Sequence, residues 1–425
     1  MSLRVVTGAA GTGKTTRLLA LVDAWFTDHA LGEGQRVLAL TFMHGSRIRL
    51  SDRLRGSAAR ARFDCVTFDG FAREVCMRWR TRLLALGVTI PSDDDPAMYE
   101  AICDAARRLL EDPLIARWVA ATHPLIVVDE FQDCYGSRPQ LVELLATVAD
   151  VLLAADPFQD LKDVGGNPAM AMLATAGSQP EELAQVHRTQ VAGLLAGAAA
   201  LRSGKPLVPG PGLTITSVPT EHVGASKVCA FIAGLKGATA AVISAGRPTD
   251  TNFSRKVLNA AAATDGYGPK KSLGPYTVPW ESSPDVHREA LLDALALGDD
   301  PRTAEAIRVA LPGGNPLARF VDEWLERERK LRGRTEFPAA ELRARVARAE
   351  AAYRGLPRHG SALSALTIHQ AKNREFDRVV VLWGYQLHRE PEMRRRWLYN
   401  AITRARKSAA VIVLGARRLT EPPFA

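Results

Sequence analysis

The sequence predicts an α/β protein built on two parallel sheets, each domain interrupted by a small, mostly helical insertion. Three observations predict it. Short apolar runs without alternation recur between helix-like segments, the pattern of strands buried on both faces. The series breaks off and begins afresh after Arg188, which argues for two domains. The first strand also runs into a glycine-rich turn and then a helix, the order of a phosphate-binding βα unit. A chain of 425 residues is long enough for this, at about 150 residues per domain.

In the first series, strands are expected at Leu3–Thr7, Arg36–Thr41, Asp64–Thr67, Leu125–Asp129 and Val151–Ala155. Helical spacing follows most of them, for example over Lys14–Thr27 and Ser137–Ala146. Residues 77–122 hold no strand-like run and read as a helical insertion. The second series offers Leu213–Val218, Ala240–Ser244, Ala365–Ile368, Arg378–Leu382 and Ala410–Leu414. Between Ala263 and Gly360 the rhythm fails. Glycine and proline come first (Gly266, Gly268, Pro269, Gly274, Pro275), then a densely charged helical run from Asp322 to Glu350 that reads as a solvated face. The expected division is 1–190 for the first domain, 191–262 with 361–425 for the second, and 263–360 for an accessory insertion.

Composition bounds the function classes. Hydrophobic residues are 47% and charged residues 24%, which excludes a disordered chain. Lysine plus arginine is 55 against 46 acidic residues, a net charge of +9 that suits a polyanion partner without requiring one. Cys65, Cys76, Cys103, Cys134 and Cys229 form no CxxC pair, which argues against a zinc knuckle or a disulfide framework and for a reducing compartment. The longest uncharged apolar stretch, Val191–Leu201, is too short for a bilayer, and the N-terminus carries no signal-peptide pattern. The expectation is a soluble, cytoplasmic protein with no membrane partner.

Two motifs carry chemistry by themselves. Gly8-Ala9-Ala10-Gly11-Thr12-Gly13-Lys14-Thr15, followed by Thr16, satisfies GxxxxGK[ST] between a strand and a helix. The glycines let backbone amides face phosphate oxygens, Lys14 would reach the β- and γ-phosphates, and the Thr15 hydroxyl would ligate Mg²⁺. The alternative, a glycine-rich turn with a chance lysine, is disfavoured by that strand–helix context. Leu125-Ile-Val-Val-Asp129-Glu130-Phe-Gln132-Asp133 places an acidic pair at the carboxyl end of a buried strand, where ligands sit in parallel sheets. Asp129 suits Mg²⁺, and Glu130 suits the orientation or deprotonation of an attacking water. Alone, such a pair reads equally well as a helix cap; beside a P-loop it reads as a hydrolysis site.

Asp129-Glu130-Phe131-Gln132-Asp133 resembles motif II of the UvrD/Rep-like superfamily 1 DNA helicases, and the other motifs of that family follow in order. Leu40-Thr41-Phe42-Met-His44 through Arg53-Leu54 resembles motif Ia, and Thr67-Phe68-Asp69-Gly70-Phe71-Ala72 resembles motif Ib. Ala155-Asp156-Pro-Phe-Gln159 resembles motif III and Val186-His187-Arg188 motif IV. Thr367-Ile-His369-Gln-Ala-Lys372-Asn373-Arg-Glu375-Phe376-Asp377 resembles motif V, and Leu398-Tyr399-Asn400-Ala-Ile-Thr403-Arg404-Ala405-Arg406 motif VI.

The resemblance implies two RecA-like P-loop NTPase domains with ATP and Mg²⁺ between them. It implies that Arg188 and Arg404 are arginine fingers, that Gln159 senses the γ-phosphate, that Glu375 lies near the ribose, and that Gln132 and Gln159 relay between nucleotide and DNA. Single-stranded DNA is expected to cross both domains by Thr41, Phe42, His44, Thr67, Phe71 and His369, although Phe68 and Phe71 are not both expected to face it. The chain departs from the family pattern in four places. The adenine-recognition segment that normally lies well upstream of the P-loop has no place in the seven residues before Gly8. His187 stands where motif IV usually has Tyr and becomes the expected base contact. No aromatic follows Gln159 in motif III, and Asn373 replaces a motif V glycine, which Asn can do by adopting left-handed backbone.

The implied function is an ATP-driven helicase or translocase on single-stranded DNA or single/double-strand junctions, with 3′-to-5′ polarity implied by the resemblance. The alternative is a DNA-stimulated ATPase switch that recruits a nuclease or another repair or defence partner. An RNA motor would use the same backbone contacts.

Overall fold

A computed structural model describes residues 2–42, 44–60, 62–90, 97–162, 166–175, 179–246, 252–268, 271–281, 284–354, 362–385, 387 and 390–425. Six strands build the first sheet: β1 (Leu3–Gly8), β2 (Val37–Thr41), β3 (Phe63–Thr67), β4 (Leu125–Val128), β5 (Asp150–Ala155) and β6 (Glu181–Leu183). Their order is β3-β2-β4-β5-β1-β6, and every pairing is parallel. Every residue of β2 and β4 is buried, as continuous apolar runs covered on both faces require. The strand ending at Ala155 thus lies between the P-loop strand and the acidic strand, so all three deliver their carboxyl ends to one cleft.

The second sheet contains β7 (Leu213–Val218) and β8 (Ala240–Ser244), and later β11 (Leu363–Thr367), β12 (Phe376–Trp383) and β13 (Ala405–Leu414). Its order is β11-β8-β12-β13-β7, again wholly parallel. Between β8 and β11, β9 (Arg302–Thr303) and β10 (Glu336–Phe337) form a small antiparallel pair. The α/β class and the paired parallel sheets agree with the sequence reading.

The two helical stretches play different parts. Helices Phe68–Arg78, Met98–Leu110 and Pro113–Thr122 do not project from the first sheet. Ile102, Leu109 and Val119 join Leu38, Ile126 and Leu153 in one apolar core, so these helices are that sheet's cover. Arg138 pins the layer from the next helix by ion pairs of 2.6 Å to Asp69 and 2.9 Å to Glu100. Helices Pro284–Leu295, Ala304–Ala310, Pro316–Arg332 and Ala339–Arg354 instead surround a core of their own that includes Leu291, Leu317, Val321, Phe337 and Val346. Tyr267, Leu273, Tyr276, Val278 and Trp280 pack on the second sheet, and Trp280 bridges in parallel to Ala365. Among the described residues, no helix is long and apolar enough to cross a membrane.

Candidate active site

The loop after β1 enters helix Lys14–Asp28 through Gly11 (φ 82°) and Gly13 (φ 85°), left-handed backbone that glycine adopts without strain. A Cβ on Gly11 would also lie 2.6 Å from the Cβ of Arg188. Buried Thr12 donates its hydroxyl to the Ala9 carbonyl at 2.9 Å, bracing the loop, while Thr16 is exposed on the first helical turn. Lys14 is buried and donates to the carbonyls of Gly8 (3.0 Å) and Ala9 (3.1 Å).

Thr15 Oγ1 donates to Asp129 Oδ2 at 2.9 Å, so the two groups expected to hold Mg²⁺ stand together. A hydroxyl and one carboxylate suit Mg²⁺, a hard cation that takes few protein ligands and fills its shell with water and phosphate oxygens. Burial and then the neighbouring Glu130 charge push the Asp129 carboxyl up to about 6. Burial also opposes ionisation of Glu130, but Lys14, Lys372 and a 2.6 Å bond from Gln132 Nε2 hold its carboxyl below the usual range. Glu130 has φ 57°, left-handed backbone that is costly for a non-glycine residue and recurs where function demands it.

From Glu130 a buried hydrogen-bond chain runs to the second domain. Gln132 accepts from the Asp156 amide (2.9 Å), Gln159 donates to Asp156 Oδ2 (2.9 Å), and Arg404 donates to Gln159 Oε1 (3.1 Å). Arg404 is only 1% exposed. Its hydrogen bonds go to neutral oxygens, those of Asn400, Gln159 and Thr403. Burial, followed by the nearby Arg188 charge, pushes its guanidinium down to about 10. A buried cation without a bonded carboxylate is costly, and an incoming anion would relieve that cost.

Arg188 reaches the same cleft but is held differently, donating to Glu375 Oε1 (2.8 Å) and to the Thr403 carbonyl (2.9 Å). Glu375, expected near a ribose, is also bonded by Arg406 through its other oxygen. Partial burial raises its pKa, but the two arginines prevail and hold it below the usual range. The amide of His187 donates to the Gly11 carbonyl at 2.8 Å, and its exposed ring lies beside Gly13.

The expected strand contacts come together less well. Thr41 is wholly buried at the end of β2, and Thr67 is buried with its hydroxyl capping helix Phe68–Arg78 through Gly70 N (3.1 Å). Phe71, at 2% exposed, lies in the first core with Phe68, so neither aromatic can stack on a base. These three expectations are corrected: Thr41, Thr67 and Phe71 face inward because the strand end and helix they occupy carry the first sheet's core. Phe42 is half-buried, with Lys162 Nζ 5.5 Å and the Arg138 guanidinium 5.6 Å from its ring centre. His369 is exposed on helix Ile368–Ala371. His44 starts helix His44–Leu54, and its side chain lies outside the described residues.

Several residues at the domain seam were not assigned roles from sequence. Lys372 forms a buried ion pair with Asp133, and Asn373 Nδ2 donates to Ser46 Oγ at 2.7 Å. Asn373 has φ 63°, the left-handed backbone expected of it. Tyr399 Oη accepts from the amide of Ala10 at 2.7 Å, directly on the phosphate loop. Asp133, Lys372 and Tyr399 lie inside motifs, and Ser46 falls within the motif Ia stretch, but Arg202 carried no local signal.

The UvrD-like helicase C-terminal domain family matches residues 362–412, and the AAA domain family matches residues 1–210. No curated protein matches the sequence. Among solved structures, the Arterivirus nonstructural protein 10 (helicase) is similar at 9% identity and a TM-score of 0.38. That match covers 96% of this chain and 59% of the viral chain.

Proposed function

The chain belongs to the UvrD-like superfamily 1 helicases, and from this we propose that it is an ATP-dependent DNA helicase or translocase moving 3′-to-5′ along single-stranded DNA. The observation that carries the proposal is Arg404: a buried guanidinium of the second domain, bonded to neutral oxygens, at the end of a hydrogen-bond chain from Glu130 of the first. Such a site is complete only with an anion, and phosphoryl transfer spreads negative charge where a fixed guanidinium can meet it. In this reading Gly8–Thr15 cradles the phosphates and Lys14 turns from the loop carbonyls towards them. Thr15 and Asp129 would hold Mg²⁺, which when bound offsets phosphate charge. Glu130, kept ionised by its cationic neighbours, orients the attacking water. The ion pair Lys372–Asp133 and the Asn373–Ser46 bond join motif V to the first domain, so a strand held at His369 and Phe42 would act on closure of the seam.

The test is steady-state ATP hydrolysis by the full chain with no nucleic acid, single-stranded DNA, duplex and RNA, alongside displacement of a strand from a junction with a 3′ single-stranded tail. The expected result is strong stimulation by single-stranded DNA with displacement. Stimulation without displacement would favour the switch that recruits a nuclease or other repair or defence partner. Equal or greater stimulation by RNA would reassign the substrate.

A further inference from the structure

We infer that Arg202, with Tyr399, is a positioning device for nucleotide entry: the pair holds Asp156 from the second domain so that Lys14 can leave it for phosphate. The inference rests on the nucleotide-site reading above and assigns roles to two residues outside the phosphate loop.

Asp156 has no exposed surface, so its charge must be met inside the protein. Cations from both domains meet it. Lys14 Nζ of the first lies 3.8 Å from Oδ2, and Arg202 of the second donates to Oδ1 at 2.6 Å. Tyr399 Oη lies 3.3 Å from both Asp156 Oδ2 and the Arg202 guanidinium, donating to the first and accepting from the second. Arg202 ends helix Ala192–Arg202, and its guanidinium lies 5.5 Å from the ring centres of both Phe158 and Tyr399, which hold it in place.

The consequence follows from charge. When a phosphate takes Lys14, Asp156 loses one of its two cations. With Arg202 bonded to it, the buried carboxylate remains compensated. Without Arg202 the carboxylate would retain Lys14, and phosphate would have to compete for it. Tyr399 adds a second constraint, because the hydroxyl that donates to Asp156 also accepts the Ala10 amide and so fixes the loop's backbone. Departure of Lys14 shifts the Asp156 charge onto two second-domain side chains, which ties nucleotide occupancy to the seam, and the coupling acts in both directions.

Equilibrium binding of a fluorescent ATP analogue to the full chain tests this, with wild type, Arg202→Met, Arg202→Lys and the double variant Arg202→Met/Asp156→Asn. Arg202→Met should weaken binding by about tenfold or more, within the range of coupled neighbouring residues. Arg202→Lys keeps the charge and should stay within about threefold of wild type. Asp156→Asn keeps the cap on Phe158 N while removing the charge that retains Lys14. The double variant loses the Gln159 bond to Oδ2 but should still bind several-fold more tightly than Arg202→Met alone. A merely structural Arg202 would leave the double variant at least as weak as the single one, and that result overturns the inference. Wild-type affinity in Arg202→Met also overturns it while leaving the nucleotide site standing. Failure of the wild-type chain to bind any nucleotide overturns both.

Discussion

The seam between the two sheets and the face above their carboxyl ends draw on the same motif series but use it differently. At the seam, groups from both domains converge: Glu130, Gln132, Asp156, Gln159 and Arg404 form one continuous buried chain, with Lys14 beside it. On the strand face, three of the six expected contacts are turned inward, leaving Phe42 flanked by Lys162 and Arg138, and His369 exposed. Charge chemistry needs particular groups at particular atoms, so a motif transfers to the seam almost residue by residue. Sequence-blind strand binding needs only a cationic, partly aromatic surface, which different side chains can supply. The same motif position can therefore pack a core.

The largest effects should come from the seam. Glu130→Gln should lower turnover by about a thousandfold while retaining nucleotide, because only water activation is lost. Lys14→Ala should abolish turnover and weaken binding as well. Equal loss of binding in both variants, measured with a fluorescent nucleotide, would erase the distinction between the two roles. Lys372→Met tests the seam as structure. Removing one partner of a buried ion pair should cost about 3 kcal/mol in urea unfolding, and a second change, Asp133→Asn, should recover part of it. A variant as stable as wild type would mean that the pair is not closed in solution.

What was legible in the sequence follows the same division. The phosphate loop was legible because its backbone constrains residue type locally: Gly11 and Gly13 must be glycine, and Asn373 could be read as left-handed from its own chemistry. The acidic strand was legible because four buried apolar residues deliver Asp129 to the sheet's carboxyl edge. The three-residue edge strand β6 was not, since Glu181 and Glu182 are exposed and carry no apolar pattern. Arg202 and Tyr399 meet Asp156 and Ala10 across long chain separations, and no period or spacing encodes such a meeting. Phe71 could have been read either way. Its helical spacing with Phe68 and Val75 marks a core stripe, whereas the motif resemblance pointed to DNA.

Smaller effects sharpen the comparison on the strand face. Phe42→Ala should weaken single-stranded DNA binding by about tenfold, the scale of one lost base-stacking contact. Phe71→Leu should leave that affinity unchanged and cost about 1 kcal/mol of stability as a core substitution. The reverse pattern in fluorescence anisotropy and urea unfolding would restore Phe71 as a strand contact. His187→Ala should have the smallest effect, weakening ATP and GTP alike by about fivefold, because ring stacking does not read base edges. A loss confined to ATP would show that His187 makes a specific edge contact.

The measurement that tests the interdomain site most directly is ATP hydrolysis by Arg404→Ala, with and without saturating single-stranded DNA, beside its ATP affinity. Arg404 belongs to the second domain yet bonds Gln159 of the first, so removing it should spare nucleotide binding while disabling the closed site. The expected result is ATP affinity within a few-fold of wild type, hydrolysis lower by roughly a thousandfold or more, and no stimulation by DNA. Normal DNA-stimulated turnover in Arg404→Ala would contradict an ATP site completed across the seam.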